Sequence, residues 1–378
     1  MKPIQMVDLV GQYEKIKPEI DAAVLDVLGS AAFINGPAVK RFQADLEEYL
    51  GVKHVVPCAN GTDALQIALM ALGLEPGGEV IVPSFTYVAT AEVIALLRLT
   101  PVMVDVDPDT YNVTPEIVDA AVTPKTKAVV PVHLFGQACD IEPLMEVARR
   151  HGIFVVEDNA QAIGAEYTFT DGSKRRAGTI GDIGTTSFYP AKNLGCFGDG
   201  GAMFTNDDGL AARLRMIANH GQVTTYYHDV IGVNSRLDSI QAAVLYVKLK
   251  HLDEYAAARN SVADRYDEAF SGIEELQAPV RQPNSTHVFH QYTVRVRDGR
   301  RDELKQHLAD QGVPSNIFYP LPLNEQKAFR GFVPEGLSLP VTEQLCREVL
   351  SLPIHTEMDD ETIDRITSGV LTFFGEED

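Results

Sequence analysis

The chain contains no tryptophan, and its four cysteines, Cys58, Cys139, Cys196 and Cys346, are scattered with no Cys-x-x-Cys pair among them. That scatter argues against a zinc site and fits a reducing compartment, with each cysteine read as a small buried apolar residue. Basic residues are also scarce. Against 53 Asp and Glu stand 32 Lys and Arg, a formal net charge of −21, which is the wrong sign for displacing counterions from a nucleic-acid backbone. No nucleic-acid partner is expected, although a few amides at a helix start hold one phosphate whatever the overall charge. Long apolar runs are absent too. Met1 to Leu28 mixes Lys, Asp, Glu and Gln with its apolar residues, unlike a signal peptide or membrane span, so the expectation is a cytoplasmic protein without membrane contact. His220 and His228 read as loop or subunit-contact residues, and no metal site is expected.

What is present is a long chain, 378 residues with 45% hydrophobic composition, more than a single sheet-and-helix layer usually needs. Two domains are expected, residues 1–250 and 251–378. In the first, Val80-Ile81-Val82, Val102-Met103-Val104, Ala128-Val129-Val130 and Ile153-Phe154-Val155-Val156 are short apolar runs closed by Pro, Asp or Glu, the pattern of strands buried on both faces. Helices are predicted between them over Thr62–Leu72, Ala89–Leu97, Pro115–Ala121 and Ile141–Arg150, with stop or start signals at Gly73, Thr114-Pro115 and Gly152. A long helix is predicted from the Asp238 region toward Leu252. Beyond it the spacing predicts helices near Ala256–Phe270, Asp302–Gln311, Thr342–Leu350 and Asp359–Phe373, an alternating stretch over Gln291–Val296, and a loop over Gln277–Ser285. The fold class is α/β, a large mixed, mostly parallel sheet domain with a smaller α+β C-terminal domain, and ligands of such sheets collect beyond the carboxyl ends of the strands.

Several segments fall at such strand ends. In Cys58-Ala59-Asn60-Gly61-Thr62-Asp63 a strand breaks into a helix, where the amides of Gly61 and Thr62 form either a phosphate site or an ordinary capped helix start. Val155-Val156-Glu157-Asp158 runs directly into an acid. Asp158 either caps a turn or faces a pyridine nitrogen, keeping it protonated and the ring a better electron sink, with Gln161 reaching the ring hydroxyl. Lys192 follows Ser187-Phe188-Tyr189-Pro190-Ala191 among Pro and Gly turn residues, and is either a solvated surface charge or a lysine that the turn presents into a cleft. In a cleft, desolvation favours the neutral amine a Schiff base requires, and Ser187 can bond a cofactor phosphate. Tyr87, at a strand-to-helix join, is a ring-stacking or a core aromatic. Gly232-Val233-Asn234-Ser235-Arg236-Leu237-Asp238 leads into the long helix, with Ser235 or Asp238 near its cap.

Taken together, Gly61-Thr62-Asp63-Ala64-Leu65, Glu157-Asp158 with Ala160-Gln161, Ser187-Phe188 with Lys192, and Gly232-Val233-Asn234-Ser235-Arg236 resemble the DegT-type nucleotide-sugar aminotransferases over nearly the whole chain. The resemblance implies the aspartate-aminotransferase fold (fold type I) and pyridoxal 5'-phosphate as cofactor. Lys192 would be the catalytic Schiff-base lysine and Asp158 the pyridine-nitrogen partner. Gln161 would contact the ring oxygen and Tyr87 the ring face, with Gly61, Thr62 and Ser187 on the phosphate. The Asn at position 234 would come from the second subunit, making a homodimer with shared sites. L-glutamate would be the amino donor and a UDP- or dTDP-linked keto sugar the acceptor.

The stretches Phe85–Glu92, Asp105–Asn112 and Asn193–Gly201 are similar to the branch that aminates carbon 3, particularly on UDP-2-acetamido-2-deoxy-3-oxo-glucuronate for bacterial surface polysaccharide. One departure stands out: Phe318 occupies the place of the usual His before Tyr319-Pro320, and a hydrocarbon ring cannot supply imidazole's hydrogen bonds. Arg236 either binds a sugar carboxylate or diphosphate through its planar fork or forms a structural ion pair, and Tyr319 is a second candidate substrate contact. The rivals are an enzyme for a dTDP-linked 3-keto-6-deoxy sugar or a 4-keto sugar, and a cofactor-binding regulator without turnover. Dinucleotide binding at Gly195–Gly201 fails for want of the Gly-x-Gly-x-x-Gly spacing.

Overall fold

The short β-branched runs become strands of one sheet because each is apolar on both faces and must be covered on both. In the computed structural model, which describes residues 3–375, these strands are β1 (His54–Cys58), β2 (Glu79–Pro83), β3 (Thr100–Val104), β4 (Thr126–Val129), β5 (Phe154–Asp158), β6 (Ile183–Ser187) and β7 (Gly201–Thr205). Their spatial order is β1-β7-β6-β5-β4-β2-β3. Neighbours from β6 to β3 pair in parallel, whereas β7 runs antiparallel to both β1 and β6. This is the mixed, mostly parallel sheet the sequence predicts.

Helices pack on both faces, in chain order α1 (Leu9–Ser30), α2 (Pro37–Leu50), α3 (Gly61–Leu72), α4 (Ala89–Leu96), α5 (Pro115–Ala121), α6 (Ile141–His151), α7 (Asp208–Ala218) and α8 (Ser239–Leu249). The punctuation works as predicted. Gly73 and Gly152 end α3 and α6 at φ +67 and +65, and Thr114 caps α5 by accepting from Ile117 N at 3.3 Å. α3 buries Ala64, Leu65, Ile67, Ala68, Leu69, Ala71 and Leu72, too many faces for a surface helix, so it lies within the core.

The two helices predicted on either side of Leu252 are both present, with the turn between them earlier than expected. α8 stops at Leu249, Lys250 and His251 turn the chain, and α9 (Leu252–Phe270) begins earlier than the spacing suggests. Leu249 and Leu252, on either side of the turn, share one cluster; farther from it, Val244 and Val247 of α8 belong to a cluster with Ile16 and Ile20 of α1, while Val262, Ala263 and Tyr266 of α9 belong to a different, C-terminal core. That core is closed by a three-stranded antiparallel sheet of β8 (Leu276–Gln277), β9 (Tyr292–Val296) and β10 (Val349–Leu352), with α10 (Arg301–Asp310), α11 (Pro340–Glu348) and α12 (Asp360–Phe374). Three details differ from expectation. Gln277 is a strand residue paired with Arg295 rather than loop. Leu350 leaves the predicted helix for β10, where backbone pairing with Val294 outweighs continuation of the helix. The alternating stretch is buried from Tyr292 to Val296, where Thr293 bonds Ser351 at 2.8 Å and Arg295 pairs with Glu348 at 2.8 Å.

Candidate active site

Strand β5 ends at Asp158 and β6 at Ser187, and the chain leaving β1 turns at Asn60 into α3. These ends open on one cavity of about 770 Å³. Gly61, Thr62, Tyr87, Asp158, Gln161, Ser187, Lys192 and Tyr319 all line it, so residues dispersed along the sequence meet where the strand-end rule places a ligand.

At one end of the cavity the start of α3 is prepared for an anion. The Asn60 side chain takes Asp63 N at 2.8 Å and its carbonyl takes Ala64 N at 3.1 Å, while the amides of Gly61 and Thr62 precede any carbonyl the helix could offer them. The walls are so close that side chains are excluded. A Cβ on Gly61 would lie 2.7 Å from the Ser187 Cβ, and one on Gly201 would lie 2.5 Å from the Asn60 carbonyl.

At the other end sits Asp158, which is 5% exposed. Thr90 Oγ1 donates to its Oδ2 at 2.8 Å and Ala160 N to its Oδ1 at 3.1 Å, so the carboxylate is aimed rather than free. Its neighbour Glu157 points to the opposite face of β5, where Gly178 N, Ile180 N, Gly181 N and His133 Nε2 surround it at 2.5–2.9 Å. Gln161 accepts from Phe135 N at 2.8 Å and donates to the Tyr319 hydroxyl at 3.1 Å. Burial pushes that phenol's pKa up, so Tyr319 keeps its own proton as a donor.

Lys192 lies on a loop held at several points. Lys192 N donates to Tyr189 O at 2.8 Å, Asn193 Nδ2 to Val288 O at 2.8 Å, and buried Lys248 Nζ to Gly195 O at 2.8 Å. The residue is half-buried overall, but its amine is withdrawn from water, and that desolvation lowers its pKa to about 8, with the Asp158 carboxylate opposing. Its Nζ lies 3.4 Å from His290 Nε2.

Two expected site residues are not at the cavity. Asn234 is exposed, on a segment fixed to β1's end by Ala59 N donating to Ser235 Oγ at 3.0 Å. Arg236 is half-buried and makes no ion pair among the described residues. The helix cap is Asp238, whose carboxylate accepts from Gln241 N at 2.9 Å. Tyr87 lies at the mouth, 58% exposed, and Phe318 contributes a hydrocarbon wall. Sequence reasoning missed Thr90, Lys248 and His290. Thr90 stood one helical turn beyond Tyr87 as a visible signal, whereas His290 arrives from the C-terminal part of the chain with nothing local to mark it.

A family model described as the DegT/DnrJ/EryC1/StrS aminotransferase family matches residues 14–371. The chain belongs to this family. It is an aminotransferase whose cofactor is pyridoxal 5'-phosphate. A Pseudomonas aeruginosa UDP-2-acetamido-2-deoxy-3-oxo-D-glucuronate aminotransferase is 45% identical, covering 97% of this chain and 99% of that one. A Streptomyces venezuelae dTDP-3-amino-3,4,6-trideoxy-alpha-D-glucose transaminase is 42% identical over 97% and 95%. The crystal structure of S. venezuelae DesV in complex with a ketimine intermediate superposes with a TM-score of 0.95 at 42% identity, covering 100% of both chains.

The residues of this aminotransferase fit that cofactor: a glycine-walled anion cradle at one end, an aimed carboxylate at the other, and a desolvated lysine in the same cavity. The cradle makes a prediction. Gly61→Val should weaken pyridoxal phosphate binding at least tenfold, about 1.4 kcal/mol, because the new side chain takes the phosphate's space. Spectrophotometric titration of cofactor-free protein would measure it, and an unchanged affinity would remove Gly61 from the cradle.

Proposed function

We propose that the protein transfers an amino group from L-glutamate to carbon 3 of a nucleotide-linked 3-keto sugar, as a cytoplasmic homodimer with two shared sites. The observation that carries the chemistry is Lys192, an amine of lowered proton affinity in one cavity with a buried carboxylate. Carbon 3 is supported by the relatives, of which one is named for a 3-oxo and the other for a 3-amino sugar. A UDP-linked 3-keto glucuronate is our first choice of acceptor, its product serving bacterial surface polysaccharide.

Bound pyridoxal phosphate supplies the electron sink and carries the amino group between the two substrates. Lys192 makes the covalent attachment and, once released, moves the proton at the substrate carbon through Nζ. With a pKa of about 8, about a quarter of it is free amine at pH 7.5, against about one in a thousand for an ordinary lysine. Asp158 would hold the ring-nitrogen proton, Gln161 would contact the ring oxygen, Tyr87 the ring face, and Gly61, Thr62 and Ser187 the phosphate, with the Tyr319 hydroxyl, bonded to Gln161, left as a substrate contact. We take residues 1–250 as the cofactor domain and 251–378 as the smaller domain that closes the cavity with His290, Phe318 and Tyr319.

Charge supports the shared site. Glutamate brings two carboxylates and the sugar nucleotide a diphosphate, yet no arginine lines the cavity among the described residues. The missing donors fit a second copy, which would deliver Asn234 and Arg236. The neighbouring exposed apolar residues Tyr226, Tyr227 and Ile231 suit a subunit contact.

The test is mass spectrometry of products after incubation with glutamate and a panel of UDP-linked 3-keto, dTDP-linked 3-keto-6-deoxy and 4-keto sugars. The expected result is amine formation on a 3-keto sugar with 2-oxoglutarate released. Amination of the 4-keto sugars alone would sink the carbon-3 reading.

A further inference from the structure

His290 is placed against Lys192 by an unusual amount of structure. Its segment is fixed by Val288 N donating to Gly136 O at 2.8 Å and His290 N to Phe135 O at 2.9 Å. Asn193, the residue after Lys192, donates to Val288 O at 2.8 Å. Buried Arg259 of α9 donates to Phe289 O at 2.9 Å. Between these anchors Phe289 is held at φ +43, a left-handed conformation that a bulky residue adopts only when its surroundings impose it. The result is an imidazole 7% exposed, with Nε2 facing the lysine amine at 3.4 Å.

The ring is neutral. Burial, then the charges of Lys192 and Arg259, push its pKa well below the ordinary value; with Nε2 as acceptor the ring's single proton sits on Nδ1, which has no hydrogen-bond partner among the described residues. A neutral ring can present the Nε2 lone pair to an ammonium. Asp158 also faces the amine, from β5, and acts on the same proton. The remaining titratable groups around the pair are the Tyr319 and Tyr87 hydroxyls and Asp199, with Arg259 behind the imidazole.

We propose that His290 is a positioning residue for Lys192: whenever the lysine is not joined to the cofactor, His290 Nε2 accepts a hydrogen bond from Nζ and holds it at a fixed place in the cavity. The inference rests on the assignment of Lys192 as the cofactor lysine. It gives the released amine a defined resting partner and stabilises its protonated form.

The test uses cofactor-free protein mixed with pyridoxal phosphate, the rate of covalent capture being followed by visible absorption across about pH 6 to 10. Removing the acceptor in His290→Phe should move the midpoint of that profile down by about one unit, a tenfold change in the amine-to-ammonium ratio. His290→Gln, which keeps an acceptor near the Nε2 position, should stay within about 0.3 unit of the parent. The proposal is overturned by a His290→Phe midpoint within that margin of the parent, or by a His290→Gln shift as large as that of His290→Phe. If circular dichroism shows His290→Phe misfolded, His290→Asn replaces it, its amide falling short of Nζ, with the same criteria. Borohydride reduction of the parent followed by peptide mapping separates the two failures. A tag on another lysine overturns the Lys192 assignment, whereas a tag on Lys192 with unmoved midpoints overturns only the role of His290.

Discussion

Lys192→Ala should lose the visible band of the lysine–cofactor linkage, resist borohydride trapping, and transfer amino groups slower by on the order of 10⁴-fold or more. One side chain has two tasks, covalent attachment and proton transfer, and the second alone is worth about 10²–10⁴-fold in rate. No other lysine lines the cavity among the described residues, and Lys248, the other deeply buried lysine, is committed to the Gly195 carbonyl. Normal turnover by Lys192→Ala would refute the assignment. The same variant tests the shared site. Mixed with Asn234→Ala subunits, it forms heterodimers in which one site has both an intact lysine and an intact asparagine. Activity should then return to about one quarter of the parent's at random pairing. A mixture as inactive as its components would show that Asn234 does not serve the neighbouring subunit.

Much of this architecture could be read from the sequence because local chemistry and tertiary position agree there. Pro115–Ala121 is a helix at its predicted bounds because Thr114 and Pro115 specify its start. Asp158 ends a strand announced by the apolar run Ile153-Phe154-Val155-Val156, whereas the strand ending at Ser187 is Ile183-Gly184-Thr185-Thr186-Ser187 and carries no such run. Element ends are where the pattern misleads. The spacing separates α8 from α9 but puts the gap after Leu252, whereas the chain turns at Lys250-His251, because residues on both sides of the turn are compatible with helix. Leu350 shows the same ambiguity between a helical turn and a short strand. At the site, strand-end residues were legible and their supports were not. Thr90 and His290 act through contacts to Asp158 and Lys192 that link residues 68 and 98 positions apart, and no local pattern encodes such a pairing.

Asp158→Asn separates charge from shape, and it should lower kcat about 10³-fold while the cofactor still attaches to Lys192. The amide is nearly isosteric, and its oxygen can still accept from Thr90 Oγ1 or Ala160 N, the two donors that aim the native carboxylate. What is lost is the negative charge. Removing one partner of a buried ion pair costs about 3–5 kcal/mol, and at about 1.36 kcal/mol per decade this corresponds to roughly two to four powers of ten if the pair matters mainly in the transition state. The lysine should respond in the opposite sense. Asp158 raises the proton affinity of Lys192 against the larger effect of burial, so its neutralisation should take the lysine pKa further below about 8 and release free amine at lower pH. Cofactor capture at neutral pH should therefore become faster as turnover becomes slower, a divergence that general damage to the site would not produce. Steady-state kinetics and the capture-rate profile measure the two effects separately. A kcat within tenfold of the parent's would remove Asp158 from the ring nitrogen, and a capture profile moved to higher pH would contradict its electrostatic hold on Lys192.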